Sequence, residues 1–164
     1  MTYSESVLAL TALTTGLIAG LFYSWSCGIT QGLGKLPDTS YLAAFQSINR
    51  EILSPWFFIS FLGTVLLLPV SAWLCYRSHQ QTSFLFLLIA SLLYIIGVFG
   101  VTIAGNVPLN DMVDKTNLQS ISLESVAEIR KAFEQKWNQL NTVRTLCAIA
   151  SLACTIMACI KYKS

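Results

Sequence analysis

Three groups of polar side chains stand in a chain otherwise dominated by apolar residues. Gln46, Asn49 and Arg50, at i, i+3 and i+4, share one face of a helix, and Glu51 follows them. Asn106, Asn110 and Asp111 surround Pro108 at the end of a greasy run. Trp137, Asn141 and Arg144 fall at i, i+4 and i+7, one stripe of a helix. Amides, an indole N–H, a guanidinium and carboxylates in apolar surroundings can do one of two things. They can satisfy one another, with a carboxylate neutralising Arg144, because each polar group buried without a partner costs several kcal/mol. Alternatively they wall a pocket and offer donors and charge to a ligand or a reacting molecule. Spacing alone leaves both open: a polar knot that closes the top of a helical bundle, or a binding or catalytic pocket floored by it.

The elements that must position these residues are membrane spans. The 164 residues are 54% hydrophobic and only 11% charged, against about 25% charge in a soluble domain. A net charge of +2, with no basic run of five, points away from nucleic acid. Five cysteines without a CxxC pair read as small packing residues rather than a disulfide framework or zinc site. A single histidine, His79, leaves no two-His iron site and no multi-His copper or zinc site. No metal site is therefore expected, and only a haem with one axial histidine stays open. One integral membrane domain should cover residues 1–164, with spans at about 6–31, 55–76, 83–105 and 140–160. Ser54 and Pro55 suit the start of the second span, Pro69 should kink it, and Pro108 should end the third. Only residues 145–160 separate Arg144 from Lys161, about 24 Å of helix against a hydrocarbon core of about 30 Å. The fourth span must therefore start near Leu140, which puts Arg144 about one turn inside.

The fold class expected is all-α: a four-span antiparallel bundle, a short helix in the first loop and an amphipathic helix in the third. Asp38 or Thr39 should cap the short helix, and Ser125 with Glu128 resembles a capping box. Val126, Ile129, Phe133 and Trp137 then recur at helical spacing, as in a helix lying on the bilayer surface or a lid over a pocket. In the first span Ala12, Gly16, Gly20, Ser24 and Gly28 recur every fourth residue. Such a stripe lets a neighbouring helix approach closely, or leaves room for a planar ligand beside Tyr23 and Trp25.

The motifs Gln46-x-x-Asn49, Asn106-x-Pro108-x-Asn110 and Trp137-x-x-x-Asn141-x-x-Arg144, in this order on a four-span chain, resemble the anthrone oxygenase-like membrane protein family. The likeness runs from about Gly16 to Ala158, and the chain has the compact form of bacterial members. The resemblance implies an oxygenase that converts hydrophobic aromatic or polyketide-type molecules, as fungal members do with anthrones, and to which no cofactor is assigned. Cofactor-free oxygenation needs a base to take an acidic C–H proton, and donors for the enolate and the reduced oxygen. Asp111 and Glu51 are the candidate bases. Asn106, Asn110, Asn141, Trp137 and Arg144 are the candidate donors, with Gln46, Asn49, Tyr23 and Trp25 as ligand-binding positions. The other reading is a non-catalytic membrane protein that binds a lipid, quinone or haem, or assists a partner. The expected surroundings are the lipid bilayer and a hydrophobic small molecule, with association between copies of the chain left open.

Arg77, Lys161 and Lys163 sit directly against the membrane on the side of the termini, while the other side has longer loops with mixed charge. The positive-inside rule then places the termini of this multi-pass cell-membrane protein in the cytoplasm and residues 106–138 outside. Lys115→Cys, in a chain without its native cysteines, should react with an impermeant maleimide in intact cells. Reaction only after lysis would reverse the orientation.

Overall fold

The computed structural model describes residues 2–162. Among them the chain forms five helices and no strand. Helix α1 is Tyr3–Leu33, α2 is Asp38–Ile52, α3 is Pro55–Arg77, α4 is Gln81–Asp114 and α5 is Leu123–Lys161. All but α2 are long and apolar enough to cross a membrane. The chain is thus an all-helical, multi-pass membrane protein.

Local chemistry sets the helix ends. Thr2 and Glu5 form a reciprocal capping box at the start of α1, with Glu5 N–H donating to Thr2 Oγ1 at 3.3 Å. Ser54 Oγ accepts from Phe57 N–H and Pro55 takes the first turn of α3, where its missing N–H costs nothing. Between α3 and α4 the turn is closed by His79 at φ 58°, with Gln80 N–H donating to the Cys75 carbonyl at 2.9 Å and His79 N–H to that of Tyr76 at 3.1 Å. This left-handed cap reverses the chain within three residues.

Several expected boundaries move. Pro37, not Asp38 or Thr39, precedes the first residue of α2 and offers no side-chain cap. The cap of α5 is Ser122, whose Oγ accepts from Ser125 N–H at 3.2 Å, one turn before the expected box. Pro69 lies inside an unbroken α3. Pro108 does not end α4: wide, π-helical turns run through Leu93–Gly100 and Thr102–Asn106, and Pro108 falls in the first turn of the α-helical segment that follows. At that changeover the absent N–H leaves no broken ladder. The amphipathic third-loop segment is no separate surface helix either. It is the first half of α5, a helix of 39 residues or roughly 58 Å. Lys163 lies outside the described residues.

The four long helices pack in a cycle: α1 against α3 and α5, and α4 against α3 and α5. Their interior is one apolar cluster, including Ile18, Phe22, Phe61, Leu68, Leu87, Tyr94 and Ala148. Hydroxyls tie the helices within it. Thr11 and Ser71 are 2.8 Å apart, Ser83 Oγ donates to the Ala158 carbonyl and Ser151 Oγ to that of Ala90, both at 2.9 Å. Such bonds contribute about 0.6–2 kcal/mol each in a membrane. A second cluster lies beyond the first, where α2 folds against α5: Trp25, Tyr41, Leu42, Phe45, Val126, Phe133 and Trp137. The apolar stripe of α5 thus faces protein, not the bilayer surface. The small-residue stripe of α1 is displaced in the opposite sense. Gly20, Ser24 and Gly28 are exposed, and α1 turns Thr11, Thr15, Ile18 and Phe22 inward instead.

Helices α4 and α5 approach closely at Gly97. A Cβ on Gly97 would come within 2.7 Å of Cys147 Cβ and closer still to its sulfur. Gly97→Ala should therefore lower stability by about 1–3 kcal/mol. Removing the opposing side chain in Gly97→Ala/Cys147→Gly should recover much of that loss in a double-mutant cycle of thermal unfolding in detergent. An Ala variant as stable as the parent would show that the two backbones are free to separate.

Candidate functional site

A cavity of about 120 Å³ opens where the membrane cluster meets the outer aromatic cluster. All five helices wall it: Phe22 and Trp25 from α1, Phe45 and Asn49 from α2, Phe57 and Phe61 from α3, Thr102 and Asn110 from α4, Trp137 and Arg144 from α5. Trp25, at the start of a third π-helical stretch, Trp25–Ile29, lies 4.9 Å from Trp137 between ring centroids, and Phe45 lies 5.2 Å from Trp137. Edge-to-face and tilted pairs of this kind add about 0.5–1.5 kcal/mol each beyond simple burial. The aromatic wall is accordingly preorganised.

Arg144 is the one charged side chain on that wall, and it is 5% exposed. Its guanidinium carbon lies 4.5 Å from the Phe22 ring centroid and 5.4 Å from that of Trp137. One terminal nitrogen donates to Asn141 Oδ1 at 2.9 Å and the other to Thr102 Oγ1 at 3.4 Å. A guanidinium only donates, so the Asn141 oxygen must face it and the amide nitrogen must face away. That nitrogen donates to Ser26 Oγ at 2.8 Å, and Ser26 in turn pairs with Thr145 Oγ1 at 2.8 Å. Thr145 closes the chain on the carbonyls of Asn141 and Phe22. Beside this chain Trp137 Nε1–H donates to Asn110 Oδ1 at 2.8 Å.

The expected polar residues divide into three. Asn49, Asn110, Trp137 and Arg144 line the cavity together with Trp25, and Asn141 stands behind Arg144. Asn106 is fully buried one turn from Asn110, and neither of its side-chain polar atoms has a partner. The remainder point elsewhere. Gln46 donates to the carbonyls of Val113 and Thr116 at 2.7 and 2.9 Å, fastening α2 to the end of α4. Arg50 pairs with Asp114 at 2.6 Å on the surface, where an ion pair contributes little. Tyr23 is 54% exposed, because it directly follows the inward-facing Phe22.

Asp111 and Glu51 are exposed too, and among the described residues no carboxylate pairs with Arg144. The expected neutralisation of Arg144 by an acid is therefore corrected. The reason is rotational: consecutive helical residues point about 100° apart, so an inward Asn110 turns Asp111 away. Arg144 is held by an amide, a hydroxyl and ring faces instead.

Sequence reasoning missed Arg130, which ties the outer layer together. It donates to Asp38 and Glu134 and to the carbonyls of Gly34 and Leu36, each at 2.8–2.9 Å, while lying over the Tyr41 ring. Burial, and then the Glu134 carboxylate, push the Tyr41 phenol well above its ordinary range, so it stays protonated. Also missed were Ser26 and most of the apolar lining, which carries no spacing signature of its own.

The profile of a family described as anthrone oxygenase matches residues 56–154, which include Asn106, Asn110, Trp137, Asn141 and Arg144 but not Gln46 or Asn49. No curated protein and no solved structure matches the chain.

Because Arg144 has no acid partner, Arg144→Met should combine additively, within about 0.5 kcal/mol, with Glu51→Gln and with Asp111→Asn. Thermal unfolding of singles and doubles in detergent measures this. A coupling of about 2 kcal/mol with either acid would show a buried pair after all.

Proposed function

Since the chain belongs to the anthrone oxygenase family, we propose that it is a membrane-embedded oxygenase-like enzyme that oxidises a hydrophobic aromatic or polyketide-type molecule without a cofactor. The observation that carries this reading is a ring-walled cavity with a single buried cation and two amides on its surface. An aromatic lining suits an aromatic ligand, and donors at one point suit an oxygen that gains charge during the reaction.

The chemistry for an anthrone-like substrate runs from a methylene activated by a neighbouring carbonyl. Loss of one C–H proton gives an enolate whose oxygen is held by Arg144 and Asn110. The electron-rich carbon adds O₂ and, with a proton, forms a hydroperoxide. Loss of the second C–H proton with cleavage of the O–O bond releases water and leaves a quinone carbonyl. Asp111 and Glu51, each next in sequence to a lining residue but exposed, would receive protons outside the cavity rather than at the reacting carbon.

The lack of a carboxylate on the wall favours a second reading, a non-catalytic protein that binds a quinone, lipid or haem there. Oxygen uptake separates the two. Purified protein in lipid nanodiscs, given anthrone, should consume oxygen and form anthraquinone faster than empty discs. Arg144→Met should slow it on the order of 100-fold or more, as for loss of an oxyanion donor. Binding of anthraquinone without any oxygen uptake above background would leave the binding reading in its place.

A further inference from the structure

We propose that the cavity takes its ligand as an anion: an aromatic enol or phenol that ionises on binding and sets its single negative oxygen against Arg144. The inference deepens the reading above and rests on the cavity being a binding site.

A buried guanidinium calls for a counter-charge, because removing an ion from water costs several kcal/mol even after relaxation. The described residues hold three ion pairs, and none includes Arg144. No residue lining the cavity other than Arg144 is ionisable: α1 presents Phe22 and Trp25 to it, α4 Thr102 and Asn110, and α5 Trp137. The faces of Phe22 and Trp137 offset part of the charge but cannot accept a hydrogen bond in its place. Arg144 Nε has no partner, and neither has the side chain of Asn106, fully buried within the same region of α4. The site is short of an acceptor.

The shape of the deficit narrows the ligand. Two of the five N–H groups of Arg144 meet protein oxygens, one on each terminal nitrogen, and the buried Nε–H meets none. A charged oxygen carried on an aromatic ring, as in an enolate or phenolate, meets the cation while the ring meets the aromatic lining. The volume of about 120 Å³ compares with roughly 150 Å³ for a dry cavity that binds benzene. One ring therefore fits within, and a fused system leaves its other rings at the mouth by Leu53, Phe58 and Ile103. An apolar wall also disfavours a hydrated inorganic anion. A guanidinium at the oxygen favours the ionised form, so the ligand's own acidity replaces the protein carboxylate that the wall lacks.

The test uses the full chain in nanodiscs with para-nitrophenol, whose anion is coloured, and para-nitroanisole, which cannot ionise. Binding is read by quenching of tryptophan fluorescence and ionisation by the anion's absorbance, with empty discs subtracted. Bound nitrophenol should ionise at least tenfold more readily than the free probe, a shift of about one pH unit. Arg144→Met and Arg144→Gln, each checked for thermal unfolding, should abolish that shift and weaken nitrophenol binding at least tenfold more than nitroanisole binding. Arg144→Lys should keep part of it. If nitrophenol binds but its ionisation is unshifted, or the shift survives both neutral variants, the anion inference falls and the cavity remains a site for neutral aromatics. If neither probe binds, the cavity reading itself falls, and the inference with it.

Discussion

A guanidinium that is buried without a carboxylate is the constraint around which the rest of this molecule is arranged. An acid beside Arg144 would neutralise it and close the region. In place of one stand a carboxamide, a hydroxyl and two aromatic faces, all of which orient the cation without cancelling its charge. Each support needs its own. Asn141 is held by Ser26, Ser26 meets Thr145, and Trp137 is held by Asn110. Three helices thus cooperate to keep one side chain charged and aimed.

Helix α5 makes that cooperation possible. Its length is nearly twice the thickness of a hydrocarbon core, so one rigid rod belongs to both apolar clusters. Phe133 and Trp137 anchor its first half and Ala148 and Ala158 its second half, and Arg144 falls between. The cavity sits at this seam because the two clusters meet there without merging. Wide turns in α1 and α4 lie at the same level, at Trp25–Ile29 and Thr102–Asn106, where an extra residue per turn re-aims the side chains beside it.

Much of this was legible in the sequence, and the rest was hidden for identifiable reasons. Charge-free runs marked the long apolar helices, and Ser54 with Pro55 marked the start of α3. The spacing of Trp137, Asn141 and Arg144 revealed a shared face, because i, i+4 and i+7 leave no other geometry. Spacing does not say which face looks inward, and so it did not disclose that Asp111, Glu51, Tyr23 and the later part of the small-residue stripe of α1 are exposed. Pro108 misled because its usual effect assumes an α-helical ladder upstream, and the wide turn before it has no such ladder to break. The ring-lined wall is assembled from five helices, one or a few residues from each. A pattern confined to any one segment could not have disclosed it.

The rim of the cavity has a bearing on supply. Leu53, Phe58, Ile103 and Val107 border it and are all substantially exposed, beside helix surfaces that also expose leucine and isoleucine. An oily molecule dissolves in the bilayer at concentrations far above those it reaches in water, since each buried methylene contributes about 0.8 kcal/mol to its transfer. Occupancy would then follow the amount of solute per lipid rather than per volume of buffer. Diluting the membrane, with protein and solute held constant, would starve the site as surely as removing the solute.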